Sequence, residues 1–489
     1  MIDLARIGGP VACVGLAVLL ASRGRTDRIA GLGFAAVGTV LLIISLSPAA
    51  SVELGLAIVG ALVIGPLLAL AFSREPWLLA LLTLLLVPAR IGFLGHQLLV
   101  PLYAVAIGAA TLIGWELVRG DARARELRFA ALPLALFVAW TGMSLAWSKD
   151  VHDGAIEVLA FYIPFAIFAL GIARLPWSGS RVRLLYAELV AMAFVFALVG
   201  LYQYQTRDIF QNPKVITGNA YAAFFRVNSV FWDPSVYGRF LVVAIIPTVV
   251  LITFWRSLRL AAAGAIFVLV AWFGLLISFS QSSFAALLVG VVGVAWVAWR
   301  WRSLIAVVAA VAVLGGIAAA QPGIRHALLH HTRSGLNSAT SGRASLVANG
   351  IRIAEAHPAL GVGVGGFKRA YAKRLHLKAK EPKTAASHDT PVTIAAEEGA
   401  VGLLLFLWLL AGIFRNAFRR VDRSFAGLVA LATGLMVAAI FVHSLFYNDF
   451  VEDPTTWLLV GLTAVVAGRN RKAPPEAPTP VERKEPVPV

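Results

Sequence analysis

The stretch from Leu260 to Phe279 reads LAAAGAIFVLVAWFGLLISF and contains no charged side chain. A helix needs about 20 mostly apolar residues to cross the hydrocarbon core of a bilayer, and this stretch meets that requirement. The whole chain has the same character, because 59% of its 489 residues are hydrophobic and 14% are charged. An ordinary soluble domain is about 45–50% apolar and about 25% charged. The composition therefore excludes a soluble globular protein and predicts one polytopic membrane domain.

Fifteen apolar blocks predict an all-α bundle in an integral membrane protein, and we expect about 12–15 of them to cross the bilayer. Blocks 77–91 and 455–468 are marginal in length. In chain order the blocks are Ile7–Ala21, 29–47, 52–72, 77–91, 97–117, 129–147, 155–173, 184–204, 236–254, 260–279, 282–299, 303–320, 391–414, 424–446 and 455–468.

The basic residues predict the orientation of these spans. If every block crosses, the Lys and Arg clusters all fall on alternate loops, and the intervening short loops hold almost none. Cytoplasmic loops carry the excess of Lys and Arg in membrane proteins, so we expect the basic loops in the cytoplasm and the N-terminus outside. This distribution accounts for most of the formal net charge of +17, and we therefore expect no nucleic-acid partner.

Two long loops on the predicted outer side set the domain organisation. The second loop carries 11 Lys and Arg against three acids, together with six of the nine histidines. Loops of this length are usually functional, so we expect this one to be functional and, from its charge, to handle an anionic ligand at the outer membrane face. The predicted parts are transmembrane helices 1–204, an outer loop 205–235, transmembrane helices 236–320, a mostly helical outer catalytic loop 321–390, transmembrane helices 391–468 and a proline-rich, disordered cytoplasmic tail 469–489.

Three motifs follow one another in the second loop. Ser341-Gly342-Arg343 leads into a helix-like run from Ala344 to Ala356, and a glycine-rich turn covers Gly361–Gly366. A dinucleotide-binding glycine loop needs a preceding strand and a following buried helix, and neither is indicated here. We therefore interpret the turn as a tight re-entry of the chain toward the membrane.

The segment Phe367–Lys378 has the pattern of an amphipathic helix, with Phe367, Tyr371 and Leu375 at positions i, i+4 and i+8. One interpretation is a helix in the membrane interface, with its aromatic stripe in lipid and its cations near lipid phosphates. The other is a lid helix packed against the protein. The sequence leaves both open.

His388 stands at the predicted start of the next membrane helix, where Thr390 is the candidate N-cap and Pro391 the first helical residue. The positive end of the helix dipole disfavours a protonated imidazole, so a neutral His388 could accept a proton. An inert surface histidine is the alternative. Glu397 and Glu398 lie two turns deeper, where unpaired acids are costly, and we expect them to pair with loop arginines.

The first outer loop places Arg226 and Arg239 beside aromatic residues just before a membrane helix. Arginine suits phosphate because its planar guanidinium donates hydrogen bonds in pairs and keeps its charge. Anchoring at the membrane interface is the competing explanation.

Metal and cofactor sites are not indicated. The histidines, including the His330-His331 pair, lack the spacing of a metal site, and the lone Cys13 excludes an intrachain disulfide. An acidic cluster near the last span could bind a cation or sugar hydroxyls, although a solvated loop is the simpler interpretation; it consists of Asp449, Glu452 and Asp453.

Taken in order, these motifs resemble the O-antigen ligase and O-antigen polymerase superfamily over residues from about 200 to 415. The resemblance rests on RVNSVFWDP (226–234), LISFSQSS (276–283), SGR (341–343), HPALGVGVGGF (357–367), and His388 followed by EGAVGLL (398–404). It implies a metal-independent glycosyltransferase without a cofactor. The donor would be a saccharide on a polyprenyl (undecaprenyl) diphosphate carrier, used at the outer face of a bacterial inner or plasma membrane.

The resemblance also implies roles for single residues. His388 would be the general base, and Arg226 and Arg343 would bind the diphosphate. The family often has an arginine after a serine near position 281, where this chain has Gln281, so Arg239 could supply the missing contact. Supporting roles would fall to Asp389, Glu397, Glu398 and Gln281.

Two questions of function stay open at this point. The acceptor would be a glycan or a lipid-anchored acceptor such as the lipopolysaccharide core, and the sequence does not separate a ligase from a polymerase. The alternative from another class is a flippase or exporter of lipid-linked oligosaccharides. An exporter would place charges along a path through the membrane midplane, whereas the predicted spans are nearly free of charge there.

Overall fold

The computed structural model describes residues 2–46, 52–93, 96–210, 212–221, 224–255, 257–302, 305, 342–377, 386–419 and 421–468. In these ranges the apolar blocks form helices, and 11 of them are long and apolar enough to cross a membrane, which confirms the polytopic helical fold. Predicted block 303–320, apart from residue 305, lies outside the described residues, as do segments 321–341 and 378–385 of the second outer loop, with the His330-His331 pair, and the C-terminal tail.

The helices are α1 (Ile2–Ala21), α2 (Arg25–Leu46), α3 (Val52–Arg74), α4 (Leu78–Leu85), α5 (Val100–Val118), α6 (Ala131–Ser144), α7 (Val151–Glu157), α8 (Ile163–Arg174), α9 (Gly179–Thr206), α10 (Pro213–Tyr221), α11 (Pro234–Phe254), α12 (Leu258–Ser278), α13 (Gln281–Trp299), α14 (Arg343–Ala356), α15 (Phe367–Arg374), α16 (Thr390–Phe418), α17 (Phe425–Ser444) and α18 (Pro454–Gly468). A π-helical segment, Val158–Tyr162, joins α7 to α8, and 3-10 turns flank α6 at Arg128–Ala130 and Leu145–Trp147.

The predicted span 77–91 is wrong as a full-length helix. The chain forms only the eight-residue helix α4, about 12 Å long, and then a two-stranded antiparallel hairpin of β1 (Ile91–Phe93) and β2 (His96–Leu98). Pro88 follows the helix end, and proline lacks the N–H that a continuing helix needs. The apolar composition of the block predicted its burial but not its break.

A buried charge network gathers the arginine-rich loops at one end of the bundle. Arg28 is fully buried and donates to Glu126 at 2.9 Å. Arg174 forms ion pairs with Glu116, Asp121 and Glu126. These contacts join loops that lie far apart in sequence, as expected if they share one side of the membrane.

The glycine-rich turn docks at the opposite end, on a break in α16. Gly399 has a left-handed φ of +68°, which interrupts the helix, and the freed carbonyls accept from the turn. Val362 N donates to Ala396 O at 3.0 Å and Gly363 N to Glu397 O at 2.7 Å. Since these N–H groups are already hydrogen-bonded, the turn does not form a phosphate cradle, in agreement with its interpretation as a tight re-entry.

A second, smaller core fixes helix α15 on the protein. Phe367 is fully buried and Tyr371 nearly so, and both pack with Ile353, Val362 and Ala396. The aromatic stripe of α15 therefore faces protein, which decides for the packed lid helix and against the helix immersed in lipid.

Replacing Gly363 with alanine is expected to destabilise this end of the molecule. The φ of Gly363 is +84°, and a Cβ here would overlap the backbone of Ser148. We expect a loss of about 2–3 kcal/mol, measured as a lower temperature of thermal unfolding in detergent. Gly33→Ala in α2 is the matched control, because a Cβ at Gly33 meets no atom within 4 Å. Equal effects of the two variants would contradict this prediction.

Candidate functional site

His388 precedes α16 at the end of the bundle where the glycine-rich turn docks. The N-cap of α16 is Asp389, whose carboxylate accepts from Val392 N at 2.9 Å. The prediction of Thr390 as N-cap is therefore off by one residue, because the Asp389 carboxylate satisfies the free N–H of the first turn. His388 itself has a left-handed φ of +63°, a conformation that is uncommon outside glycine and that histidine adopts more readily than most residues.

The surroundings of His388 keep its imidazole neutral. Its ring is half-buried and lies 6.1 Å from the ring of Tyr447, centre to centre. Burial lowers the pKa of His388, and the positive charge of Arg343 lowers it further, while Asp233 opposes them. The neutral imidazole was predicted from the helix dipole; in the structure, burial is the largest cause of its lowered pKa.

Arg226 is held in place by its backbone and by one side-chain nitrogen. Asn219 forms a two-way amide pair with its backbone, with N–O distances of 2.9 and 3.0 Å. Arg226 Nε donates to Ser278 O at 3.1 Å, and among the described residues no partner is seen for its two terminal nitrogens. The guanidinium is therefore oriented while its forked end stays available.

The charge of Arg343 acts on both His388 and Arg226. It is the first residue of α14, directly after Gly342, and its charge lowers the pKa values of both His388 and Arg226. For Arg226, burial is the larger cause, and Asp233 acts in the opposite direction. The structure thus brings Arg226, Arg343 and His388, which are far apart in sequence, into one electrostatic environment with Asp233.

Arg239 is placed differently from the expectation. It is only 5% exposed and pairs with Asp449 and, at 3.0 Å, with Asp453. Freeing its guanidinium for a phosphate would leave two buried carboxylates without a counter-ion, which is strongly unfavourable. The simpler interpretation of Asp449 and Asp453 as a solvated acidic loop is wrong for the same reason, since both are buried against Arg239.

Comparison with protein families relates part of the chain to a known family. The model of the O-antigen ligase family matches residues 265–407. Residues 265–407 are therefore similar to the O-antigen ligase family. This finding supports the resemblance drawn from the motifs and a glycosyltransferase-like role in surface polysaccharide assembly. No curated protein matches the chain significantly.

The residues matched by the family model include Arg343 and His388, whereas Arg226 precedes them. Gln281, also inside the matched region, is exposed at the first position of α13. It lies three residues beyond Ser278, the residue that accepts from Arg226. Gln281, which stands where the resemblance implies an arginine, is therefore close in sequence to Ser278, whose carbonyl holds Arg226.

Two acids of the matched region have partners that differ from the prediction. We expected Glu397 and Glu398 to pair with loop arginines. Glu397 instead accepts from Phe367 N at 2.9 Å, and Glu398 accepts from Thr141 Oγ1 at 3.0 Å. The expected ion pairs with arginines are wrong among the described residues. The carboxylates of Glu397 and Glu398 instead accept hydrogen bonds from backbone and hydroxyl donors of neighbouring segments.

Four further residues that shape the site were not predicted from the sequence. Asn219 holds the backbone of Arg226, and Asp233 opposes the lowering of the pKa of Arg226. The ring of Tyr447 lies near the ring of His388. The buried Gln203 forms two hydrogen bonds with the backbone of Ser229, at 2.8 and 2.9 Å. Asp233 had a detectable signal, since Asp-Pro before an apolar run is a helix start. Asn219 lies only seven residues before Arg226 but carries no such signal, and Gln203 and Tyr447 act on segments more distant in the chain.

Proposed function

We propose that the protein is a metal-independent glycosyltransferase of the O-antigen ligase or polymerase type. It transfers a saccharide from a polyprenyl (undecaprenyl) diphosphate carrier to a glycan or a lipid-anchored acceptor, at the outer face of a bacterial inner or plasma membrane. The observation that carries this proposal is the shared electrostatic environment of Arg226, Arg343 and His388 at the end of the bundle opposite the arginine-rich loops.

The two arginines provide the site for the leaving diphosphate. Arg343 lowers the pKa of Arg226, so the two cations repel each other until an anion lies between them. Departure of the diphosphate increases negative charge on its oxygens, and cations already in place stabilise that charge in the transition state. The free forked end of Arg226 suits two phosphate oxygens at once.

His388 takes the proton of the acceptor. The acceptor hydroxyl oxygen forms a bond to the anomeric carbon, the bond from that carbon to the diphosphate oxygen breaks, and the hydroxyl proton passes to the neutral imidazole. The diphosphate leaves with the electron pair of the broken bond. A neutral histidine is needed at the start of this step, and its burial near Arg343 provides it.

Reconstituted transfer tests the proposal. We expect the full-length protein in lipid nanodiscs to convert an undecaprenyl-diphosphate saccharide and the lipid and lipoglycan extract of the source cell envelope into a glycosylated product, detected by mass spectrometry. Excess EDTA is expected to leave the rate unchanged. Movement of the donor across liposome membranes without any transfer would favour an exporter and contradict the proposal.

A further inference from the structure

His388 has a ring neighbour where a catalytic imidazole usually has a hydrogen-bonded partner. The orientation and tautomer of such an imidazole are normally set by a hydrogen bond from its second nitrogen to a carbonyl or a carboxylate. Among the residues that the structure describes, no such bond to the His388 ring is seen. Its contact is with the ring of Tyr447, whose centre lies 6.1 Å away at an interplanar angle of 58°, within the range of ring contacts.

The loop that carries Tyr447 is tied to helix α11. Tyr447 lies between α17 and α18, in a segment whose two aspartates, Asp449 and Asp453, both form ion pairs with Arg239 of α11. Asp453 N also donates to Asp449 O at 3.0 Å, which closes the segment on itself. Since separating a buried ion pair is strongly unfavourable, these contacts fix the loop and, with it, the backbone of Tyr447.

The side chain of Tyr447 also contacts a second imidazole. The ring of His443 is fully buried in the last turn of α17 and lies 5.7 Å from the Tyr447 ring, centre to centre. Tyr447 therefore contacts one imidazole that is locked in the core and one, that of His388, at the proposed site. Its ring provides a fixed flat surface beside the proposed base.

The hydroxyl of Tyr447 is unsuited to act as the base itself. Burial raises its pKa, and the negative charge of Asp233 raises it further, against the opposing charge of Arg239. A phenol with a raised pKa keeps its proton at neutral pH and therefore cannot accept one. The ring, and not the hydroxyl, is the part of Tyr447 that acts on His388.

We propose that Tyr447 is a positioning residue for His388, whose ring holds the imidazole in one orientation and excludes water from it. This inference rests on the proposed function and adds to it how the general base is kept in place. Orientation matters because a displacement of about 1 Å can lower a rate by about 100-fold. Exclusion of water matters because burial is the largest cause of the lowered pKa of His388, ahead of the charge of Arg343.

Three replacements of Tyr447 test this inference in the full-length protein in nanodiscs, with undecaprenyl-diphosphate saccharide as the donor and the envelope extract as the acceptor. We expect Tyr447→Phe, which keeps the ring, to retain the wild-type kcat. Tyr447→Ala and Tyr447→Leu should lower kcat about 10–100-fold with the donor KM unchanged, because the arginines remain. Leucine keeps most of the side-chain volume, so this variant carries the test if the alanine variant does not fold. Phe446→Ala, at an exposed aromatic neighbour, is the matched control and should behave as the wild type.

The pH profile adds a readout that a purely structural role would not move. In the wild-type protein, activity is lost as the pH falls through the lowered pKa of His388. Without the ring, water reaches the imidazole and its pKa rises towards 6.5, so the acid side of the kcat profile should move to higher pH. The charges that act on His388, those of Arg343, Asp233 and the adjacent Asp389, are the same in every variant. Deuterium exchange at the carbon between the two ring nitrogens of His388, followed by mass spectrometry, should become faster in Tyr447→Ala.

The outcomes separate this inference from the proposed function. Equal loss of kcat in Tyr447→Phe and Tyr447→Ala would show that the hydroxyl acts directly and would overturn the positioning role. A wild-type kcat without the ring, or an unmoved pH profile with unchanged exchange at His388, would overturn it as well. In these cases the wild-type protein still transfers saccharide and the proposed function stands. If the wild-type protein transfers nothing, the proposed function fails, and the role of Tyr447 in it fails too.

Discussion

Replacing His388 with alanine is expected to lower the rate of saccharide transfer by about 10²–10⁴-fold, the usual contribution of a general base. The loss should appear in kcat, because the arginines that bind the donor remain in place. His388 has a left-handed φ of +63°, and alanine is strained there. His388→Asn avoids this problem, since asparagine adopts this conformation readily and has no basic nitrogen.

Transfer by purified protein, followed as product per time by mass spectrometry, provides the measurement. The two variants should lose activity to the same degree although they differ in backbone strain. His152→Ala is the control, because His152 is an exposed histidine in the first turn of α7, at the same end of the bundle. Retention of more than about a tenth of the wild-type rate in His388→Asn would show that the imidazole is not the base.

The sequence predicted most of the helices because membrane insertion depends on local composition. The apolar composition of Leu260–Phe279 is enough to predict a membrane helix, and the helix α12 (Leu258–Ser278) matches that prediction. The break after α4 was missed because Pro88 acts on the backbone, not on hydropathy. For the second outer loop, the helix-like run predicted at Ala344–Ala356 matches α14, since its pattern is also local.

The site was predictable only in part, for a related reason. The position of His388 followed from helix-start signals within a few residues. The ion pairs of Arg239 could not be deduced from the sequence, because its partners Asp449 and Asp453 lie more than 200 residues away. A free arginine and a paired arginine look the same in a sequence, and only packing separates them. Tyr447 escaped notice for the same reason, since its contact with His388 depends on how α16 and α17 pack.

Removing the positive charge of Arg343 is expected to slow transfer and to change its pH dependence. For Arg343→Gln we expect kcat/KM to fall about 10²–10³-fold at neutral pH, as for the loss of one preorganised donor to a developing anion. Arg343 also lowers the pKa of His388. In the wild-type protein the pKa of His388 therefore lies below its ordinary value of 6.5. The active neutral imidazole is present at pH values above that pKa, and activity is lost as the pH falls through that pKa.

Without Arg343 the pKa of His388 should rise, so the acid side of the profile of log(kcat/KM) against pH should move to higher pH. The shift should be partial, because burial, the larger cause, remains. Arg352→Gln on the exposed face of α14 removes a charge from the same helix, and its profile should stay where the wild type has it. A slower Arg343→Gln variant with an unmoved acid limb would mean that Arg343 binds the donor without acting on His388. An unchanged rate would show that Arg343 does not belong to the site, and that the diphosphate is not held beside the neutral base by Arg343.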